Sequence, residues 1–370
     1  AAPSHAHNSF VYVTNYGDGT VSQFRVKSNG RLTPLNPPTV KAYPRCHSLA
    51  VARGRFLYAL SSLEFSRRDC LISQFRIGSD GRLTPLSPPT VLVPYRGQGG
   101  GPFLVSTDPT GRFVYVPGRD GSIAQFRISA GGELRPLDPP QAAGVGDDCH
   151  VAYDTSHRLL YVTGYGRMIV EAFGSVQAYR LTAPGNLSLL PKSRMDTIVR
   201  GISVTRGGQF AYLFAYRRND RRPEEVKTVV SEYRTTPQGV LLPLRTPRVS
   251  PSGMASHSLV DPRGRFFYMT IPDEYWVYGD EFDRRLVRGT FLERCKIQPN
   301  GTLRRLPWQT LRVQADVSAA AFDSAGHFLY LLTGNGVRSF RVRPDGSVSS
   351  LSPCSIHAGR GPLGMVYVQK

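Results

Sequence analysis

One unit recurs seven times along the chain, and that repetition limits the fold more than any other feature. Its core is an apolar strand, an Asp-Pro-x-Gly-Arg turn, a Phe-apolar-Tyr-apolar strand, a variable loop, a Ser-Gln-Phe-Arg strand, a polar Gly turn and a Leu-x-Pro-Leu-x-Pro-Pro segment. The aromatic element appears at Phe10–Val13, Phe56–Ala59, Phe113–Val116, Leu159–Val162, Phe210–Leu213, Phe266–Met269 and Phe328–Leu331. The third strand follows at Ser22–Arg25, Ser73–Arg76, Ala124–Arg127, Val176–Tyr179, Ser231–Arg234, near Phe291–Arg294, and at Ser339–Val342. Gly30, Gly81, Gly132, Gly185, Gly239, Gly301 and Gly346 mark the next turn.

Each unit holds four short segments of alternating or continuous apolar character separated by turn residues. Four strands in roughly 40–50 residues is the arithmetic of a β-propeller blade. Helical repeats need long 3.6-period stripes, which 37 Gly and 29 Pro disfavour. The sequence therefore predicts an all-β, seven-bladed propeller with four antiparallel strands per blade, forming one domain over 1–370. Its blades fall at about 10–40 plus 360–368, 47–91, 102–144, 149–193, 200–249, 255–313 and 317–358. Only three strands precede the second blade. Arg360–Val368 matches Gly100–Pro109, the opening of the third, so the C-terminal strand is expected to complete blade 1 and protect its edge.

In such a wheel the first turn of each blade lies on the bottom face, and the inner-strand starts and second loops lie on top. The bottom turns are short. Insertions fall at Ser61–Cys70, Gly164–Ser175, Tyr216–Lys227 and Ile271–Thr290, all on the top face, which makes the channel mouth the expected binding site. The last insertion mixes Tyr275 and Trp276 with acidic residues, as a lid or a partner contact would. The one before it is basic but carries Glu224 and Glu225. The two loops could equally be tied by surface ion pairs.

Nine residues before each aromatic element stand His47, Leu104, His150, Gly201, His257 and Ala319, with Gly364 closing blade 1 and Asp148 and Arg200 close by. Three readings of His47, His150 and His257 stay open. They form a three-His metal site holding a divalent ion, or join Arg200 in binding an anionic small molecule, or cap strand starts inherited by blade duplication.

The chain has 46 Lys+Arg against 27 Asp+Glu, a net charge of +19, and only six of the basic residues are Lys. Such a basic protein suits anionic partners, and Arg-rich codon usage gives the same balance. The basic residues form no aromatic-interleaved stripe, which argues against nucleic-acid recognition. No apolar run reaches the ~18–20 residues of a transmembrane segment. Five Cys are too few for a disulfide scaffold, and their pairing is left open. The opening Ala-Ala-Pro-Ser-His-Ala-His reads either as the mature end of a periplasmic or extracellular protein or as residues added when the chain was expressed, and export is the favoured expectation. No serine-hydrolase, zincin, Cys-x-x-Cys or phosphate-loop motif is present, and no cofactor is required.

Phe10–Val26, FVYVTNYGDGTVSQFRV, resembles the YVTN-repeat, lactonase-type seven-bladed propellers, a group that includes 6-phosphogluconolactonases and fungal carboxymuconate-cyclising enzymes. The resemblance covers Phe10 to Val368. It implies a site drawn from an inner-strand His, an Arg at the next blade's start, a Glu closing that blade's second strand and an Arg closing the following blade's. His150 and Arg200 match the first two and would be the catalytic pair. Tyr216 stands in place of the Glu and Pro272 in place of the Arg, so the hydrolytic set is only partly retained; Glu224 or Glu225 could replace the lost carboxylate. The resemblance implies a lactonase-like propeller binding a ligand or protein partner on top. The alternatives are an active lactonase on an anionic sugar lactone, and an exported scaffold or accessory subunit.

Overall fold

Every repeat folds as four antiparallel strands, because its apolar segments are too short for helices and are punctuated by turns that demand glycine. The computed structural model describes residues 8–62, 70–94, 104–118, 121–144, 147–165, 174–191, 193–195, 198–219, 222–244, 251, 255–278, 284–307 and 311–370. Seven sheets form the ring, and no described residue is helical. The innermost strands are Pro362–Gln369 for blade 1, then Cys46–Ala52, Ser106–Thr107, Asp147–Asp154, Ile198–Val204, His257–Val260 and Val317–Phe322. Outer strands in blades 4 and 6 are interrupted, as Leu187–Leu189 with Ser193–Met195 and Leu303–Arg305 with Arg312–Val313.

Ring closure is as expected. Pro362–Gln369 lies antiparallel to Ser9–Asn15, with Phe10 opposite Val368 and Val13 opposite Met365. The core is divided among the seams: each of seven apolar clusters joins two neighbouring blades. Propeller stability is thus mainly blade-to-blade burial.

The repeat motif supplies the polar stitches at those seams. The Phe10 ring packs on the next blade's turn at Gly81, whose φ is +88° and where a β-carbon would meet the ring at 2.1 Å. Two residues on, the Tyr12 hydroxyl donates to the Gly81 carbonyl at 2.6 Å. Tyr58, Tyr115, Tyr212, Tyr268 and Tyr330 repeat that bond to Gly132, Gly185, Gly301, Gly346 and Gly30. The Gln23 side-chain oxygen accepts from Leu83 N of the next blade, and its nitrogen donates to the Pro37 carbonyl of its own outer strand. Arg25 reaches the Asp80 carbonyl at 3.0 Å. In the bottom turns, Asp108, Asp261 and Asp323 each accept two backbone amides through Oδ1.

Pairing corrects two sets of sequence assignments. Arg25 lies opposite Phe10 in blade 1. By that register the third-strand motif is Gln177–Arg180 in blade 4, Glu293–Lys296 in blade 6 and Arg338–Arg341 in blade 7, one or two residues from the expected positions. Second, the insertions in blades 5 and 6 are strand extensions rather than loops. Phe210–Asn219 pairs with Arg222–Thr235 out to Asn219 opposite Arg222. Phe266–Tyr278 pairs with Arg284–Ile297 out to Tyr278 opposite Arg284. Tyr, Trp, Val and Leu favour pleated ribbons, and the many charges had suggested loops. The insertion tips of blades 2 and 4 (63–69 and 166–173) lie outside the described residues.

Candidate functional site

The channel mouth is built by β-bulges at the starts of the inner strands. A bulge adds one residue against its partner strand and re-aims the side chains around it. Opposite the fifth residue of each aromatic strand stand Ser48 (on Leu60), His150 (on Thr163), Gly201 (on Phe214), His257 (on Thr270) and Ala319 (on Leu332). His150 and His257 are therefore equivalent, as the spacing predicted. His47 is not. The bottom turn of blade 2 spans only 53–55 between Ala52 and Phe56, whereas blade 4 uses 155–158 between Asp154 and Leu159. Counting back from Phe56 therefore lands one residue early. His47 occupies the bulge between Cys46 and Ser48, in the register of Arg200 and Ser318.

The Thr opposite each equivalent His has a local role. Thr163 Oγ1 accepts from His150 N at 3.3 Å and Thr270 Oγ1 from His257 N at 3.1 Å. In blade 1, Thr14 Oγ1 accepts from Gly364 N at 2.8 Å. The Tyr-x-Thr part of the repeat thus ties down strand starts at the mouth.

The three imidazoles have different environments. His47 is half-buried and donates from Nδ1 to the Arg45 carbonyl at 3.1 Å. His257 is half-buried, with Nδ1 3.1 Å from Ser256 Oγ and 3.4 Å from Thr270 Oγ1. Its ring also donates to the Ser318 backbone carbonyl. Burial, then repulsion from His150, lower its pKa to about 4, so at neutral pH it is an uncharged strut between blades 6 and 7. His150 is exposed, and the Phe214 ring meets it edge-on with centroids 6.3 Å apart. Phe214 is buried and fills the space above Gly201, where a β-carbon would meet its ring at 2.0 Å. Arg200 is half-buried in the adjoining bulge.

The metal site expected from His47, His150 and His257 is not formed: among the described residues no three His, Cys, Asp or Glu side chains are grouped to hold an ion. The reasons are the register slip at His47 and the commitment of the His257 ring to its hydrogen bonds.

Of the other expected site residues the structure gives backbone positions only. Asp148 lies in the bulge between Asp147 and His150, and Tyr216 pairs with Ile198 and Thr228. Glu224 and Glu225 lie in the register shift near the tip of the blade 5 ribbon, and Tyr275 and Trp276 in the blade 6 ribbon opposite Val287 and Leu286. Their side chains lie outside the described set. Pro272 pairs with Thr290 and offers no charge. Sequence reasoning missed Phe214, Ser256 and Ser318. The repeated Thr was a visible signal for the strand ties; nothing local marks a ring that reaches its neighbour across a seam. Cys46, Cys70, Cys295 and Cys354 form no disulfide among the described residues, and burial raises Cys46 to about 11 and Cys295 to about 12.

Residues 96–197 match the protein family described as Lactonase, 7-bladed beta-propeller. No curated protein matches the sequence. Among solved structures, a candidate 6-phosphogluconolactonase from Bacteroides uniformis superimposes with a TM-score of 0.73 at 17% identity, covering 98% of this chain and 100% of that one. A periplasmic gluconolactonase from Pseudomonas aeruginosa gives 0.65 at 18% identity, covering 97% and 99%. A Lactobacillus plantarum protein gives 0.66 at 14%, covering 98% and 99%. Repeat, closure and structural similarity agree on the fold, a seven-bladed β-propeller, and its residues 96–197 are similar to the lactonase family.

Proposed function

We propose that the channel mouth binds an anionic sugar-acid lactone and opens it, with His150 as general base and Arg200 as the anion-binding cation. The observation that carries this reading is the arrangement of His150: an exposed imidazole at a strand start tied by Thr163, held edge-on by Phe214, one blade from Arg200. A neutral imidazole takes a proton from water as the water attacks the lactone carbonyl. The guanidinium of Arg200 supplies donors for the oxyanion or for the ligand's own carboxylate or phosphate. The ring oxygen leaves as an alkoxide that is protonated from His150, giving the open hydroxy acid. The gluconolactonase and 6-phosphogluconolactonase named among similar structures support a sugar-lactone substrate.

Tyr216 and Pro272, standing where the family carries Glu and Arg, favour a second reading in which the mouth binds the ligand without turning it over. One experiment separates them. Acid release from gluconolactone and 6-phosphogluconolactone is followed by pH-stat, and binding of gluconate and 6-phosphogluconate by calorimetry. Hydrolysis above the spontaneous rate, falling about 10²–10⁴-fold in His150→Ala, supports the enzyme. Binding lost in Arg200→Ala without turnover supports the second reading, and neither turnover nor binding removes both.

A further inference from the structure

On the opposite face from His150, the bottom turns of blades 5, 6 and 7 enclose an open groove of about 950 Å³. Arg206 and Arg263 come from the turns between inner and second strands of blades 5 and 6. Lys296 lies at the end of the third strand of blade 6, Gln298 in the turn that follows it, and Pro344 comes from blade 7. Four lining residues are cationic, Arg206, Arg263, Arg265 and Lys296, and none is acidic. The nearest carboxylates in sequence are already engaged. Asp261 Oδ1 accepts from Arg265 N and Phe266 N, with its second oxygen 3.7 Å from Arg265 Nε, and Asp345 Oδ1 lies 3.9 Å from Arg294 Nη1.

The register shows that one of these cations has been released from a structural task. Lys296 lies opposite Phe266, where blades 1 to 4 place an Arg that reaches the next blade's turn carbonyl. In blade 6 that stitch is made two residues earlier, by Arg294 to the Asp345 carbonyl at 2.9 Å. The exposed Lys296 ammonium is left with no hydrogen-bond or ion-pair partner among the described residues. A second observation points the same way. Gln298 Nε2, in the same wall, is a buried donor with no acceptor among the described residues. A groove rich in donors and without carboxylates, bearing amides from Gln209 and Gln298 and apolar faces from Pro262 and Pro299, suits a chain of pyranose rings carrying carboxylates. A bare polyphosphate would leave the proline faces without apolar contacts.

We infer that this bottom groove is a second binding site, separate from the channel mouth, for an acidic oligosaccharide of the uronate type. Guanidinium and ammonium groups pair with its carboxylates, and the amides take ring hydroxyls. The site would hold the propeller on an anionic glycan while leaving the mouth open.

The test uses the full chain and a purified oligogalacturonate hexamer, with binding read by calorimetry at low salt. Three exposed residues are changed together, Arg206→Ser, Arg263→Ser and Lys296→Ser. A control removes the same charge from exposed blade 1 positions, Lys27→Ser, Arg31→Ser and Lys41→Ser. The expected result is saturable binding, weakened at least tenfold by the groove variant, less than threefold by the control, and unchanged by His150→Ala. No binding, equal losses in groove and control variants, or tighter binding of polyphosphate of equal charge would overturn the inference. Binding lost in His150→Ala would also overturn it, by placing the glycan at the mouth.

Discussion

Tyr161 is the residue at which the repeat breaks its own rule. Its equivalents in the other six blades donate to the next blade's turn glycine, but the buried Tyr161 hydroxyl has no partner among the described residues. In blade 4, Ala178 stands opposite Tyr161 at the position held by Gln23 in blade 1. The Gly239 turn of blade 5 packs against that alanine instead. Tyr58→Phe should therefore leave the buried Gly132 carbonyl unpaired and cost about 1–2 kcal/mol, while Tyr161→Phe should be neutral or slightly stabilising. Urea midpoints of the two variants check this, and equal losses would refute it. His257 sets a pH dependence at the same scale. Its folded pKa of about 4 lies below the ordinary 6.5, so the unfolded chain takes up the proton first as pH falls. The stability held in the neutral ring is complete above pH 6.5 and drains away towards pH 4, by at most about 3 kcal/mol. His257→Gln keeps a donor and an acceptor but does not titrate. The wild type should lose stability relative to this variant across that window, and parallel profiles would contradict the assignment.

Among elements, the two ribbons of blades 5 and 6 are what distinguish this wheel's top face. Eight residues from Ile271 to Tyr278 span about 26 Å at ~3.3 Å per residue, far beyond the blade's core. Their backbone hydrogen bonds close within the ribbon, so little of the wheel's stability should depend on them. Replacing 274–288 with an Asn-Gly turn is expected to leave the thermal midpoint within about 2 °C of wild type and to change ligand affinity at the mouth at least threefold. A large fall in midpoint would make the ribbon part of the scaffold. Sequence read the presence and side of these insertions correctly but not their conformation. High charge is common to loops and to exposed ribbons, whereas the cross-strand partners that decide between them lie up to 30 residues apart, as for Phe266 and Lys296.

For the molecule as a whole, closure is the critical act. The C-terminal strand supplies the inner wall of blade 1, with Val368 buried, and Lys370 Nζ donates to the Ile77 and Gly78 carbonyls of blade 2. Removing 362–370 exposes the edge at Ser9–Asn15 and discards several backbone bonds, a large share of the ~5–15 kcal/mol that stabilises a typical domain. The shortened chain should lose its cooperative unfolding transition, and a synthetic peptide of residues 360–370 added in trans should restore it. An unchanged transition in the shortened chain would mean that closure is dispensable.

The sequence alone determined the number of blades, the strand count, the closing strand and the face that carries the insertions. These follow from local alternation of apolar residues and from turn glycines, which act within a few positions of one another. Only the tertiary structure decided which imidazoles share a register, since one residue fewer in the 53–55 turn moved His47 out of line with His150 and His257. It also decided that Lys296 is free to face a groove while Arg294 makes the stitch. A side chain's partner at a seam lies about one blade away in sequence, and a shift of a single position in a strand turns it to the opposite face.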